Sequence, residues 1–145
     1  MNSKEFLGKK NEKLIMEAIA RAEGRTSGEI RVHLEDKCSE DVLDRAAWLF
    51  TKLKMHETKD RNGVLIYLSV NDHKFAIIGD AGINKVVPEG FWNEIKELMI
   101  GRFKTGEFTD GLIRGIELSG QQLKQYFPTQ ADDVNELSDE ISYGE

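Results

Sequence analysis

The stretch Lys59-Asp60-Arg61-Asn62-Gly63-Val64-Leu65-Ile66-Tyr67-Leu68-Ser69-Val70-Asn71-Asp72-His73-Lys74-Phe75-Ala76-Ile77-Ile78-Gly79-Asp80-Ala81-Gly82 decides the fold. Its polar opening is a turn. Val64 to Val70 is a near-continuous apolar run of strand length, which predicts a strand covered on both faces. Asn71-Asp72-His73-Lys74 reads as a tight hairpin connection, and Phe75-Ala76-Ile77-Ile78 returns beside its partner. Gly79-Asp80-Ala81-Gly82 ends that strand.

Working upstream, Ile30, Val32 and Leu34 alternate with Glu29, Arg31, His33 and Glu35, the period of a half-buried strand. Between the two strands, Ser39 can cap a helix reaching about Met55. Val42, Leu43, Ala46, Ala47, Leu49, Phe50 and Leu53 would form its inner side, and Trp48 would sit in the core or at its margin. A helix over 10–23 precedes the first strand, with Leu14, Ile15, Ala18, Ile19 and Ala22 as its stripe and Gly24 as its stop. Downstream, Pro88 introduces a helix carrying Phe91, Trp92, Ile95, Leu98 and Met99, and Lys104-Thr105-Gly106 breaks it. A last helix runs from about Thr109 to Tyr126, and Pro128 closes it. A strand–helix–strand crossover makes the first two strands parallel, with the crossover helix on one face and the last two helices on the other. The expected fold is an α/β/α sandwich with a small mixed sheet. It comprises a parallel pair plus a hairpin strand, with room for a fourth short strand around Lys85-Val86-Val87.

At 145 residues, 39% hydrophobic and 32% charged, the chain matches one soluble globular domain. No apolar run approaches the ~18–20 residues of a membrane span, and Met1-Asn2-Ser3-Lys4-Glu5 opens no secretory signal, so no membrane insertion and a cytoplasmic location are expected. The single Cys38 excludes an internal disulfide and reads as an unreactive thiol. Of the 26 acidic residues, six lie in 129–145, leaving 20 against 20 basic residues in 1–128. A neutral body with an acidic end argues against a nucleic-acid partner. The domain is therefore placed at 1–128, and 129–145 reads as a solvated, mobile tail whose Val134, Leu137 and Ile141 could dock as a short helix. A monomer is expected.

The topology carries a spatial prediction. Strands one and two begin, and strand three ends, at one edge of the sheet, so Asp60 and Asp80 should meet there with Asn62, Ser27 and Asn84 close by. Carboxylates, an amide and glycine-exposed carbonyls are hard oxygen ligands suited to Ca²⁺ or Mg²⁺. The competing explanation is that Asp and Asn beside Gly are ordinary turn residues. Glu35, Asp36, Glu40 and Asp41 read as a solvated start to the second helix.

The same loops resemble those of the TPM-domain family. Arg61-Asn62-Gly63-Val64-Leu65-Ile66-Tyr67 is similar to its strand start, and Phe75-Ala76-Ile77-Ile78-Gly79-Asp80-Ala81-Gly82-Ile83 to its strand exit. Phe103-Lys104-Thr105-Gly106-Glu107-Phe108-Thr109-Asp110-Gly111-Leu112 and Thr26-Ser27-Gly28-Glu29-Ile30 resemble two further segments, so the likeness covers about residues 10–127. The resemblance implies an α/β/α domain that binds divalent cations, with phosphatase activity in some members and accessory roles in others. It adds Glu107, which matches an acidic family position, to Asp60, Asn62 and Asp80 as expected metal ligands. No cofactor beyond Ca²⁺ or Mg²⁺ is implied.

Chemistry beyond binding finds few candidates. Cys38 has no arginine at thiol-phosphatase spacing, His33, His56 and His73 form no helical metal pair, and Gly79-Asp80-Ala81-Gly82 lacks a P-loop ending. Three functions stay open: a metal-responsive binding or accessory module with an unidentified protein partner, a metal-assisted phosphoester hydrolase, and a metal-free structural domain. In the hydrolase, Asp60 and Asp80 would hold the cation and Lys59, Arg61 or Lys85 would meet the phosphate. Catalytic residues are not assigned.

Overall fold

The computed structural model describes residues 2–129 and 139–144. The chain forms α1 (Ser3–Glu23), β1 (Glu29–Glu35), α2 (Val42–Lys52), β2 (Gly63–Ser69), β3 (Phe75–Gly79), α3 (Ala81–Asn84), α4 (Asn93–Lys104), α5 (Phe108–Leu123) and β4 (Ser142–Gly144). The sheet order is β3-β2-β1-β4. β1 and β2 are parallel, with Glu29 opposite Gly63 and Glu35 opposite Ser69. β2 and β3 form the expected antiparallel hairpin, with Val64 opposite Gly79 and Leu68 opposite Phe75.

β2 is buried along its whole length, as a sheet covered on both faces requires. Val64, Ile66 and Leu68 join Ile30, Val32 and Leu34 against α1, α4 and α5 in the larger core. Leu65 and Tyr67 point the other way and pack with Ala46, Leu49, Phe50 and Met55 under α2. Each buried Val, Leu or Ile in these layers contributes about 1.5–3 kcal/mol over its exposed state. The α/β/α sandwich follows from that two-sided burial. α5 lies close to its neighbours because it lacks side chains where they press: a Cβ on Gly115 would fall 2.3 Å from Met99 Sδ, and one on Gly120 would fall 3.0 Å from Ala22 Cα.

Several boundaries differ from expectation, for identifiable reasons. Asp41, rather than Ser39, caps α2, accepting hydrogen bonds from the Leu43 and Asp44 amides. Ala46, Leu49 and Phe50 face the sheet, which leaves Leu43, Ala47 and Trp48 on the exposed side of the helix. Trp48 is 49% exposed, flanked by Arg45 and Lys52, each 4.6 Å from its ring centroid. Trp92 packs where a Gly79 Cβ would otherwise stand, 2.9 Å from that position. α1 begins at Ser3, with a kink at Gly8, and Leu14 lies partly outside the apolar stripe. Lys85-Val86-Val87 is not a strand. The chain turns into α3 directly after β3, and the fourth strand is β4, parallel to β1 with Ser142 opposite His33. Within the expected tail, Val134 and Leu137 lie outside the described residues, while Ile141 is buried in the larger core and leads into this strand rather than a helix. Among the described residues no helix is long and apolar enough to cross a membrane.

Candidate functional site

The predicted meeting of turns occurs. The loop 59–62 and the β3 exit lie against each other because Asp80 donates its amide to Gly63 O (2.9 Å) and Gly82 donates to Arg61 O (2.9 Å). Gly82 is required there: a Cβ would sit 2.2 Å from Asp60 O and 2.6 Å from Arg61 O. Ser27 joins the same rim through Asn62, whose Nδ2 lies 3.5 Å from Ser27 Oγ. The end of α5 is fastened alongside, with the Ser27 amide donating to Phe127 O (2.8 Å) and Thr26 bridged to Pro128. An open cleft of about 660 Å³ results, lined by Ser27, Lys59, Asp60, Arg61, Ala81, Gly82, Lys85 and Tyr126–Pro128.

The four expected ligands have unequal places in it. Asp60 is exposed at the lip of the cleft. Asp80 has only 5% of its side chain exposed, and both oxygens are engaged. Arg61 donates Nε to Oδ2 (2.7 Å) and a terminal nitrogen to Oδ1 (2.8 Å), and the Ala81 amide donates to Oδ1 (2.7 Å). The carboxylate raises the pKa of Arg61 above its ordinary value. Arg61 reaches it from a left-handed backbone, φ 51°. Asn62 is buried, its side-chain amide faces Ser27 and its backbone amide donates to Thr58 Oγ1 (3.3 Å), so it serves the loop. Asn84 caps Gly79 O from an exposed position.

Glu107 is elsewhere. The next residue, Phe108, packs on His73 of the hairpin connection (4.9 Å between ring centroids), and Phe103 packs on Phe75, the first residue of β3. Asp80 follows the last residue of β3, so Glu107 belongs to the opposite end of the sheet, beside Thr105 and Arg102. Among the described residues no group of three or more His, Cys, Asp or Glu forms a ready-made metal centre. The rim supplies two carboxylates, and a hard dication there would need backbone oxygens or water for its remaining ligands.

Sequence reasoning missed a second polar cluster. Glu35, expected to be solvated, is 1% exposed at the far end of β1. It accepts a fork from Arg45 (2.9 and 2.6 Å) and a bond from Tyr67 Oη (2.7 Å), and His33 Nε2 lies 3.2 Å away. Burial alone would raise Glu35, but the bonds from Arg45, Tyr67 and His33 outweigh it and hold the group below its ordinary pKa. Burial is the largest influence on His33 and lowers its pKa. His33 Nδ1 meets Ser142 Oγ at 2.7 Å. Serine, imidazole and carboxylate thus stand in line, yet Glu35 is neutralised by Arg45 and the cluster is packed under α2. It reads as a structural network. The only available signal was His33 and Glu35 at strand period on one face.

The comparisons with known proteins agree with this architecture. The TPM domain profile matches residues 1–122. The BA42 protein of the psychrophilic bacterium Bizionia argentinensis, solved by NMR, is 51% identical, covers 97% of each chain and superposes with a TM-score of 0.92. The N-terminal domain of a P. gingivalis protein, 20% identical over 87% of this chain and 83% of that one, has a TM-score of 0.69 and shows a shared fold. No curated protein matches.

Proposed function

The chain belongs to the TPM domain family, and from that premise we propose that its rim is a divalent-cation site of a metal-responsive binding module. One observation carries the reading: Asp80, a nearly buried carboxylate beside an open cleft, takes its counter-charge from Arg61, whose side chain is 49% exposed. An exposed guanidinium is a displaceable partner. Asp60, on the same loop as Arg61, supplies the second anionic oxygen donor. Occupation by Ca²⁺ or Mg²⁺ would release Arg61 into the cleft and change the surface that a partner meets. Asn62 serves the loop in this reading, and Glu107 lies too far along the sheet to take part.

Calorimetric titration of the chelator-stripped protein tests it. A single saturable site is expected for Ca²⁺ or Mg²⁺, lost in Asp80→Asn and weakened in Asp60→Asn. Asparagine can retain the cap on α3, so folding should survive. Binding undiminished in both variants would remove the rim from consideration, and no binding in the wild type would leave a metal-free domain.

A second reading rests on Lys59, Arg61 and Lys85 lining the same cleft. With a cation on Asp60 and Asp80 these side chains could meet a phosphoryl group, making the site a metal-assisted phosphoester hydrolase. It requires turnover that depends on the cation and falls in Asp80→Asn.

A further inference from the structure

The rim also carries the chemistry of the partner it would meet once loaded, an inference that rests on the cation site proposed above. The Arg61 fork is already a carboxylate receptor. It holds Asp80 side-on through two bonds of 2.7 and 2.8 Å, the bidentate geometry that a guanidinium offers a carboxylate. In the unloaded rim that receptor is filled from within. The two partners depend on each other unequally. Asp80 keeps a bond from the Ala81 amide (2.7 Å) whatever counter-charge it faces. Arg61 has Asp80 as its one side-chain partner among the described residues, so a displaced Arg61 is left wanting an anion in an open cleft.

The surroundings favour an anion with an apolar neighbour. Lys59 and Lys85 are exposed and line the same cleft, and Lys85 pairs with no carboxylate among the described residues. Lys59, Arg61 and Lys85 exceed Asp60 and Asp80 by one charge, and a bound dication raises that excess to three. Tyr126, Phe127 and Pro128 supply the apolar lining. Tyr126 is steadied by Phe91 (5.8 Å between ring centroids), and the Ser27 amide holds the Phe127 carbonyl (2.8 Å).

We propose that the cleft is a cation-gated receptor for an acidic segment of a partner protein, in which Arg61 exchanges Asp80 for a partner carboxylate. An apolar side chain next to that carboxylate rests on Tyr126 and Phe127. The exchange leaves no charge bare: the dication takes Asp80 and Asp60, and Arg61 takes the incoming anion. Without the ion, Asp80 is a built-in competitor for the fork.

The probe is a dye-labelled, acetylated peptide of alternating glutamate and leucine, with a glutamine-for-glutamate peptide as control. Anisotropy is read on the chelator-stripped full chain with and without Ca²⁺. Wild type should bind the acidic peptide about tenfold more tightly with Ca²⁺, the worth of one charge-assisted contact. Asp80→Asn should bind it at that level with no cation present, and Arg61→Gln should lose it in both conditions. Should Asp80→Asn fail to fold, wild type against Arg61→Gln in Ca²⁺ gives the same readout. Binding undiminished in Arg61→Gln, or equal capture of the glutamine peptide, would overturn the proposal. So would inorganic phosphate occupying Asp80→Asn more tightly than the peptide, which would assign the fork to a phosphoryl ligand. Ca²⁺ uptake by the wild type with no peptide capture by any form would refute the receptor and leave the cation site standing. Peptide capture by Asp80→Asn with no Ca²⁺ effect on the wild type would refute the cation site and uphold the fork as the receptor.

Discussion

Gly82 and Glu23 show how much single positions decide. A methyl group at Gly82 meets two backbone oxygens, which cannot swing aside as a side chain would. Gly82→Ala should therefore cost about 1–3 kcal/mol, read as a lower denaturant midpoint at unchanged slope. Glu23 accepts from the Ile30 amide at the uncovered end of β1 (3.0 Å). Burial first, then the bond to Asp139 and the nearby Glu29, push its pKa up from 4.5 to about 9. An acid raised in the folded state is penalised once the unfolded chain can ionise, so its contribution is fully present below pH 4.5 and is lost as pH climbs toward 9. Glu23→Gln should flatten the decline in stability across that window, with a gain of order 1 kcal/mol near pH 8. An undiminished slope in the variant would show that other groups control it.

The elements were legible in the sequence wherever one period dominated. Val64–Val70 declared a doubly covered strand because only Ser69 and the Tyr67 hydroxyl interrupt its apolar run, and the tight polar connection to Phe75 left a hairpin as its simplest partner. α2 was legible as a helix but not in its inner face, since at about 100° per residue Val42, Leu43, Ala46, Ala47, Trp48, Leu49 and Phe50 spread apolar side chains around most of the turn, and packing on the sheet selects Ala46, Leu49 and Phe50. Asp41→Ala should destabilise the protein by ~1 kcal/mol, checked by chemical denaturation, while Ser39→Ala should be near neutral. α5 makes a finer distinction. At Gly115 an added methyl meets the flexible Met99 side chain, whereas at Gly120 it meets Ala22 backbone atoms. Gly120→Ala should therefore cost more than Gly115→Ala in the same denaturation series. Strand β4 was not legible: three residues after an acidic segment carry no period, and their pairing depends on a groove built by β1 and α1.

At the scale of the whole molecule, two ends of one sheet carry different chemistry. Asp60, Arg61 and Asp80 meet at one end because parallel β1 and β2 start where antiparallel β3 finishes, and that juxtaposition followed from connectivity alone. Its side-chain state did not, because whether Asp80 faces a guanidinium or a cation depends on distances of a few ångströms. Loading the rim should raise the melting temperature of the stripped wild type with cation concentration, and leave Asp80→Asn unmoved. Trp92, lodged against Gly79 one residue before Asp80, gives this end of the sheet an optical reporter. Replacing the solvent-facing Trp48 with phenylalanine would leave a single indole, whose emission could then follow ion arrival in real time.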